Sequence, residues 1–131
     1  MNTPMNRKST VEAIRVRFDA EVERFANLET GQAATVDAPL VMDLITRAAV
    51  ATTPLIARVL DVGCGAGNLT LKLLQAAPGF ESDLLDLSGA MLERARERVA
   101  SAGAVAVRTM QGDVRTVPLE DGRYDVVVAA A

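Results

Sequence analysis

Asp61, Gly63, Gly65 and Gly67 stand at alternate positions in the stretch Arg58-Val-Leu-Asp-Val-Gly-Cys-Gly-Ala-Gly-Asn-Leu-Thr70. Glycine lets a bound group approach the backbone closely and adopts conformations that side chains oppose. Where such a run leads from a strand into a helix, the first helical N–H groups have no internal partner and can meet a polar or anionic ligand. An acid at the strand's end adds a seat for a cation. Two more acids, Asp86 and Asp113, follow later segments of strand-like composition. The chain has no histidine, which excludes a histidine-based triad or zinc site within these residues. Any general base would be a carboxylate, a tyrosine or a group outside the chain, and no residue stands out as catalytic.

Two nucleotide motifs compete for the glycine stretch. The dinucleotide fingerprint places glycine at its first, third and sixth positions. Counted from Gly63 the sixth position is Asn68, and counted from Gly65 it is Thr70, so both frames fail. The phosphate-cradling loop of nucleoside triphosphatases ends in Gly-Lys-Ser/Thr, and no Gly-Lys pair occurs. An NAD-binding protein is thus a weak alternative.

The elements that must hold these residues can be read around them. Val59-Leu-Asp-Val62 suits a buried parallel strand. Leu69, Leu71, Leu73 and Leu74 open a helix that gives way at Pro78-Gly79. Ser82 to Leu87 is a second strand, Ser88 caps a helix from Gly89 to about Ala102, Ala104 to Met110 is a third strand, and Tyr124 to Ala130 a fourth. The run Glu93-Arg-Ala-Arg-Glu-Arg98 reads as a solvated helix face. Upstream, Ser9-Thr-Val-Glu12 reads as a capping box. It opens a helix with Val11, Ile14, Phe18, Val22, Phe25 and Leu28 on one stripe, ending near Gly31. Asp37-Ala-Pro39 starts a second helix to about Val50, with Leu40, Val41, Leu44, Ile45 and Ala48 expected inward. Strands alternating with helices predict a doubly wound parallel α/β sheet. The expected division is an N-terminal helical segment, 1–54, and an α/β half-domain, 55–131.

Bulk properties narrow the class. A chain of 131 residues is one domain by length, half of it is apolar, and its net charge of −3 offers no basic field for nucleic acid. A single cysteine, Cys64, excludes an internal disulfide and fits a reducing compartment. No apolar run reaches membrane-spanning length, so a cytoplasmic protein with no membrane partner is expected.

The pattern Asp61-x-Gly63-x-Gly65-x-Gly67 resembles the first motif of class I S-adenosylmethionine-dependent methyltransferases, whose fold is Rossmann-like. The string Asp83-Leu-Leu-Asp-Leu-Ser-Gly-Ala-Met91 resembles that family's second-strand signature, with Asp86 standing 19 residues after Gly67. Gly112-Asp113-Val114 resembles its third site. The resemblance implies that Asp61, Gly63, Cys64, Gly65 and Gly67 line the cofactor, Cys64 being a small residue suited to the turn. It further implies that Asp86 takes the ribose hydroxyls and that Leu87 and Met91 pack near the adenine. Gly112, Asp113 and Val114 would meet the adenine edge, Asp113 accepting from its amino group. The implied cofactor is S-adenosylmethionine, with S-adenosylhomocysteine as product and no metal. The acidic balance favours a small-molecule acceptor. The segment before the first strand lies over the site in such proteins, which draws attention to Gln32 and Thr35.

Members of that family build seven strands, and this sequence reaches only the fourth. The fourth strand is central in the family's sheet, so here it is expected as an apolar, unpaired edge. Either the chain is a fragment of a longer polypeptide or another chain, a second copy included, completes the sheet. The rival reading of function is a non-catalytic module that binds the nucleotide and needs that remainder.

Overall fold

The structure is a computed structural model and describes residues 10–20 and 37–129. Its elements run α1 (Val11–Ala20), α2 (Asp37–Thr52), β1 (Arg58–Val62), α3 (Asn68–Ala76), β2 (Glu81–Asp86), α4 (Gly89–Ser101), β3 (Ala106–Gln111) and β4 (Val126–Ala129). The four strands are all parallel, in the order β3-β2-β1-β4. This is the parallel α/β sheet that the alternation predicts, and it fits the Rossmann-like fold that the resemblance implies.

β1 is apolar because it has no solvated side. Val59, Leu60 and Asp61 are all buried. Alternate residues of the strands point to the same face, and Val59, Leu84, Val126 and Val128 share one core with Leu69, Leu73 and Leu74 of α3 and Leu92, Ala95 and Val99 of α4. The chain steps outward from β1 to β3, then crosses back to β4 on the other side of β1. That reversal opens a crevice at the carboxyl ends of β1 and β4, where ligands of open α/β sheets bind. Asp125 fixes the return: its Oδ2 accepts the N–H groups of Ala57 (2.8 Å) and Arg58 (2.9 Å).

A buried carboxylate braces the sheet. Asp83 Oδ2 accepts from Arg108 Nη2 (2.9 Å), Arg123 Nε (3.1 Å) and Tyr124 OH (2.6 Å). The three donors tie β2 to β3 and to the segment entering β4. Desolvation of the phenol and its bond to Asp83 raise the Tyr124 pKa.

Three expectations need correction. The cap of α1 is Thr10, whose Oγ1 accepts from the Ala13 N–H at 3.0 Å. Glu12 pairs with Arg15, one turn on, and Ser9, the other half of the expected capping box, lies outside the described residues. In α2 the buried residues are Thr46 and Ala49, with Met42 and Ile45 half-buried against the core. Leu40, Val41 and Leu44 are exposed, at 57, 46 and 55 %, and Ala48 is exposed too. The helix packs through its smaller side chains because Ala49 lets it approach Val126 and Val128, so the bulky stripe faces away. The run Glu93–Arg98 is not wholly solvated, since Arg94 and Arg98 are half-buried. The part of the first expected helix beyond Ala20 and the connector carrying Gln32 and Thr35 lie outside the described residues.

β4 pairs with β1 and, among the described residues, with no second strand. Val127 is 59 % exposed there. No described helix is long and apolar enough to cross a membrane.

Candidate functional site

The turn from β1 to α3 is built from three left-handed glycines, Gly63 (φ 67°), Gly65 (φ 56°) and Gly67 (φ 88°). They do different work. A Cβ placed on Gly63 or Gly65 would meet nothing within 4 Å, so their backbone faces open space. A Cβ on Gly67 would lie 3.2 Å from that of Ala95 and 3.3 Å from Val99 Cγ2, which makes Gly67 the point where α4 presses on the turn. The carbonyl of Leu85 accepts the N–H groups of Gly63 (2.8 Å) and Cys64 (3.1 Å) and so anchors the turn to β2.

Asp86, at the end of β2, is buried and joins both motifs. One carboxylate oxygen accepts the Gly65 N–H at 2.8 Å, and the other accepts the Ser88 N–H at 2.9 Å. The second bond is the local helix-entry role open to an acid just ahead of a cap. Ser88 is that cap, its hydroxyl accepting the Met91 N–H at 3.1 Å. Each carboxylate oxygen carries a further acceptor site, so these bonds leave Asp86 capacity for ligand hydroxyls.

Asp61 lies buried behind the turn, its Oδ2 accepting from Thr70 Oγ1 at 2.7 Å. Burial pushes its pKa up to about 6; the Thr70 hydroxyl works against that shift and neighbouring Asp86 adds to it. Two carboxylates of one sign at one glycine turn suit a cationic, hydroxyl-bearing ligand better than a pyrophosphate. Cys64 is also buried, and desolvation first, then Asp61 and Asp86, push its thiol upward, away from thiolate chemistry.

Gly112 joins the same corner, donating its N–H to the Asp86 carbonyl at 3.0 Å. A Cβ there would approach Val117 Cγ2 to 2.6 Å. Beside it, Gln111 Nε2 bonds the Leu87 carbonyl at 3.1 Å. Leu87 is half-buried, Met91 is buried, and Val114 is 44 % exposed. Asp113 is engaged by its own loop. Arg115 Nε lies 3.0 Å from each carboxylate oxygen, and these bonds hold Asp113 down to about 2. Asp86 thus links the turn after β1 to Gly112 at the end of β3.

Sequence reasoning missed two groups here. Thr70 lies one helical turn after Gly67, on the inward side of α3 with Leu73 and Leu74. Arg98 reaches across from α4, donating through Nη1 to the Ala66 carbonyl (2.7 Å) and to Asn68 Oδ1 (2.6 Å). Helical spacing could have found it, because positions 91, 95 and 98 share a face. Among the described residues, no group of three or more His, Cys, Asp or Glu could hold a metal ion.

The chain is similar to known proteins. A family model described as a methyltransferase domain matches residues 59–131. The demethylmenaquinone methyltransferase of Thermus thermophilus is 40 % identical over 73 residues, covering 56 % of this chain and 33 % of that protein. A malonyl-[acyl-carrier protein] O-methyltransferase of a Paenibacillus species is 30 % identical over 131 residues, 97 % of this chain and 46 % of that one. The magnesium protoporphyrin IX methyltransferase of Synechocystis, solved with bound S-adenosylhomocysteine, shares the fold. Its TM-score is 0.70 at 21 % identity, over 92 % of this chain and 57 % of that one. This chain spans about half or less of the length of the curated relatives it matches.

Proposed function

The chain belongs to the class I S-adenosylmethionine-dependent methyltransferases, and from that premise we propose that it binds S-adenosylmethionine at the carboxyl ends of β1, β2 and β3 for methyl transfer to a small-molecule acceptor. The observation that carries this reading is the bond from the Gly65 N–H to Asp86, which makes the glycine turn and the second-strand acid one site. The residues present fit the cofactor. Gly63 and Gly65 leave the backbone bare on the open side, Asp61 and Asp86 supply negative charge, and Asp86 keeps acceptor capacity for ribose hydroxyls. Leu87 and Met91 would flank the adenine, and Gly112, Asp113 and Val114 its edge. When bound, S-adenosylmethionine supplies a sulfonium methyl that an acceptor nucleophile displaces, leaving S-adenosylhomocysteine.

The chain's own contribution is alignment. A rigid turn and two fixed carboxylates hold one reactant in place, and such positioning alone can supply much of a rate enhancement. No described residue is assigned as nucleophile or base. The net charge of −3 and the quinone and malonyl-carrier names of the relatives support a small or carrier-borne acceptor over nucleic acid, in the cytoplasm.

A second reading is a nucleotide-binding module without turnover. Such a module would need a further strand beside β4, from a longer polypeptide, a second copy or another chain; among the described residues β4 pairs with β1. Calorimetric titration of S-adenosylhomocysteine and of NAD into the protein tests the first step, and transfer of a labelled methyl group to candidate acceptors tests the second. Tight S-adenosylhomocysteine binding without transfer supports the module. Binding of NAD alone overturns both readings.

A further inference from the structure

We infer that α1 is coupled to the nucleotide site, with Asp19 as a positioning residue that acts on Asp86 through Ser88. The inference rests on the reading above that Asp86 meets the ligand. Ser88 is completely buried, and three bonds leave it in three directions. Its backbone N–H goes to Asp86 Oδ1 (2.9 Å), its hydroxyl oxygen accepts the Met91 N–H (3.1 Å), and its hydroxyl proton goes to Asp19 Oδ1 of α1. A hydroxyl has one proton, so giving it to Asp19 turns the oxygen lone pairs toward Met91 and fixes the cap. Asp19 also accepts the Ala90 N–H at 3.4 Å, which sets its carboxylate at the positive end of the α4 dipole. Its second oxygen takes Arg15 Nη1 at 2.6 Å, within α1.

A continuous path of single hydrogen bonds thus runs from Arg15 through Asp19, Ser88 and Asp86 to the Gly65 N–H. It crosses between segments 69 residues apart at its central link. The cap role of Ser88 would be met within α4 alone, so contact with α1 adds something that helix formation does not require. What it adds is an acceptor that orders the same serine whose N–H orients Asp86. If a ligand stabilises the bonded position of Asp86, it stabilises the docked position of α1, and docking of α1 raises ligand affinity by the same factor.

The experiment is calorimetric titration of S-adenosylhomocysteine into the protein and into Asp19→Ala, Asp19→Asn, Ser88→Ala and Asp19→Ala/Ser88→Ala, with hydrogen exchange followed over residues 11–20. Asp19→Ala is expected to weaken binding about fivefold or more, the lower end of ordinary coupling. Asp19→Asn keeps an acceptor for the serine and should recover most of that loss. The double variant should bind no more weakly than Ser88→Ala, and ligand should slow exchange in 11–20 in the parent but not in Ser88→Ala. Unchanged affinity in Asp19→Ala overturns the inference, as do additive losses in the double variant. Asp19 is partly exposed, so its variants retain the fold if Ser88→Ala does not. A parent protein that fails to bind S-adenosylhomocysteine overturns the cofactor reading itself, which is a separate outcome.

Discussion

Thr70 donates its hydroxyl proton to Asp61 Oδ2 at 2.7 Å, with both residues buried behind the glycine turn. The bond eases the burial of a carboxylate but does not cancel it. The Asp61 pKa stays near 6, above its ordinary 3.8, so the folded chain holds this proton more tightly than the unfolded chain. Asp61 therefore favours folding as pH falls from about 6 toward 4 and opposes it above about 6, by on the order of 3 kcal/mol. Asn keeps an acceptor for Thr70 and has no charge to bury. Asp61→Asn should raise the melting temperature at about pH 7.5 and narrow its gap to the value at about pH 5, while weakening ligand binding. Thermal melts of both proteins at the two pH values check this, and parallel pH profiles would show that Asp61 ionises normally.

Arg98 should matter to the turn more than its place in a charged run suggests. Arg98→Ala leaves the Ala66 carbonyl without its guanidinium donor. The expected cost is about 1–2 kcal/mol, the low part of the range for charged hydrogen bonds because the side chain is partly solvated. Both bonds leave from Arg98 Nη1; a lysine ammonium has donors for both acceptors, but its side chain is one atom shorter than the reach to Nη1. Urea unfolding should rank the parent above Arg98→Lys and Arg98→Lys above Arg98→Ala, with ligand affinity in the same order.

Gly67 and Gly65 should separate packing from binding. Both have positive φ, so alanine at either costs about 1–2 kcal/mol of backbone strain. Gly67→Ala must also push against Ala95 and Val99, whereas Gly65→Ala meets nothing. Gly67→Ala should therefore be the less stable of the two by chemical denaturation. Gly65→Val should fold yet lose S-adenosylhomocysteine, because its branched side chain fills the open side. Unchanged affinity in a folded Gly65→Val protein would remove the cofactor from this turn.

The Asp83 cluster offers a test of the sheet apart from any ligand. Tyr124→Phe removes one of three donors and should cost about 1–2 kcal/mol. Asp83→Ala strands two guanidinium groups, and the side chain of Arg108 is 46 % exposed, so about 2–3 kcal/mol is expected, below the full figure for breaking a buried pair. Denaturation with urea, and ligand affinity unchanged in Tyr124→Phe, would confirm a bracing role.

The parallel sheet and the glycine turn were legible because they depend on local rules. Val59-Leu-Asp-Val62 has the composition of a strand buried on both faces, and three alternate glycines have few other uses. The face of α2 was not legible. Leu40, Val41 and Leu44 form a better apolar stripe than Thr46 and Ala49, and only the proximity of β4 selects the smaller set. Arg98 and Asp19 escaped for a related reason. A surface-type residue that crosses to a carbonyl or a serine far along the chain leaves its mark in tertiary geometry and not in its neighbours. Asp86 is expected as a ribose acceptor, and the structure adds a helix-entry bond to Ser88 that the motif does not assign; each of its oxygens keeps acceptor capacity beside the bonds it makes.

The strand order also sets a timetable. Val59 pairs with Ser82 on one side and Val126 on the other, partners 23 and 67 residues downstream. On the ribosome, β1, β2 and β3 can assemble while the second flank of β1 is still bare. At roughly 5–20 residues per second, the interval from Gln111, the end of β3, to Val126 lasts about 0.8–3 s. Through that interval the strand leading to the glycine turn offers an open ladder to any passing extended chain. Of the three seams between the described strands, the one between β1 and β4 closes after the other two, which makes it the exposed step for chaperones during this part of synthesis.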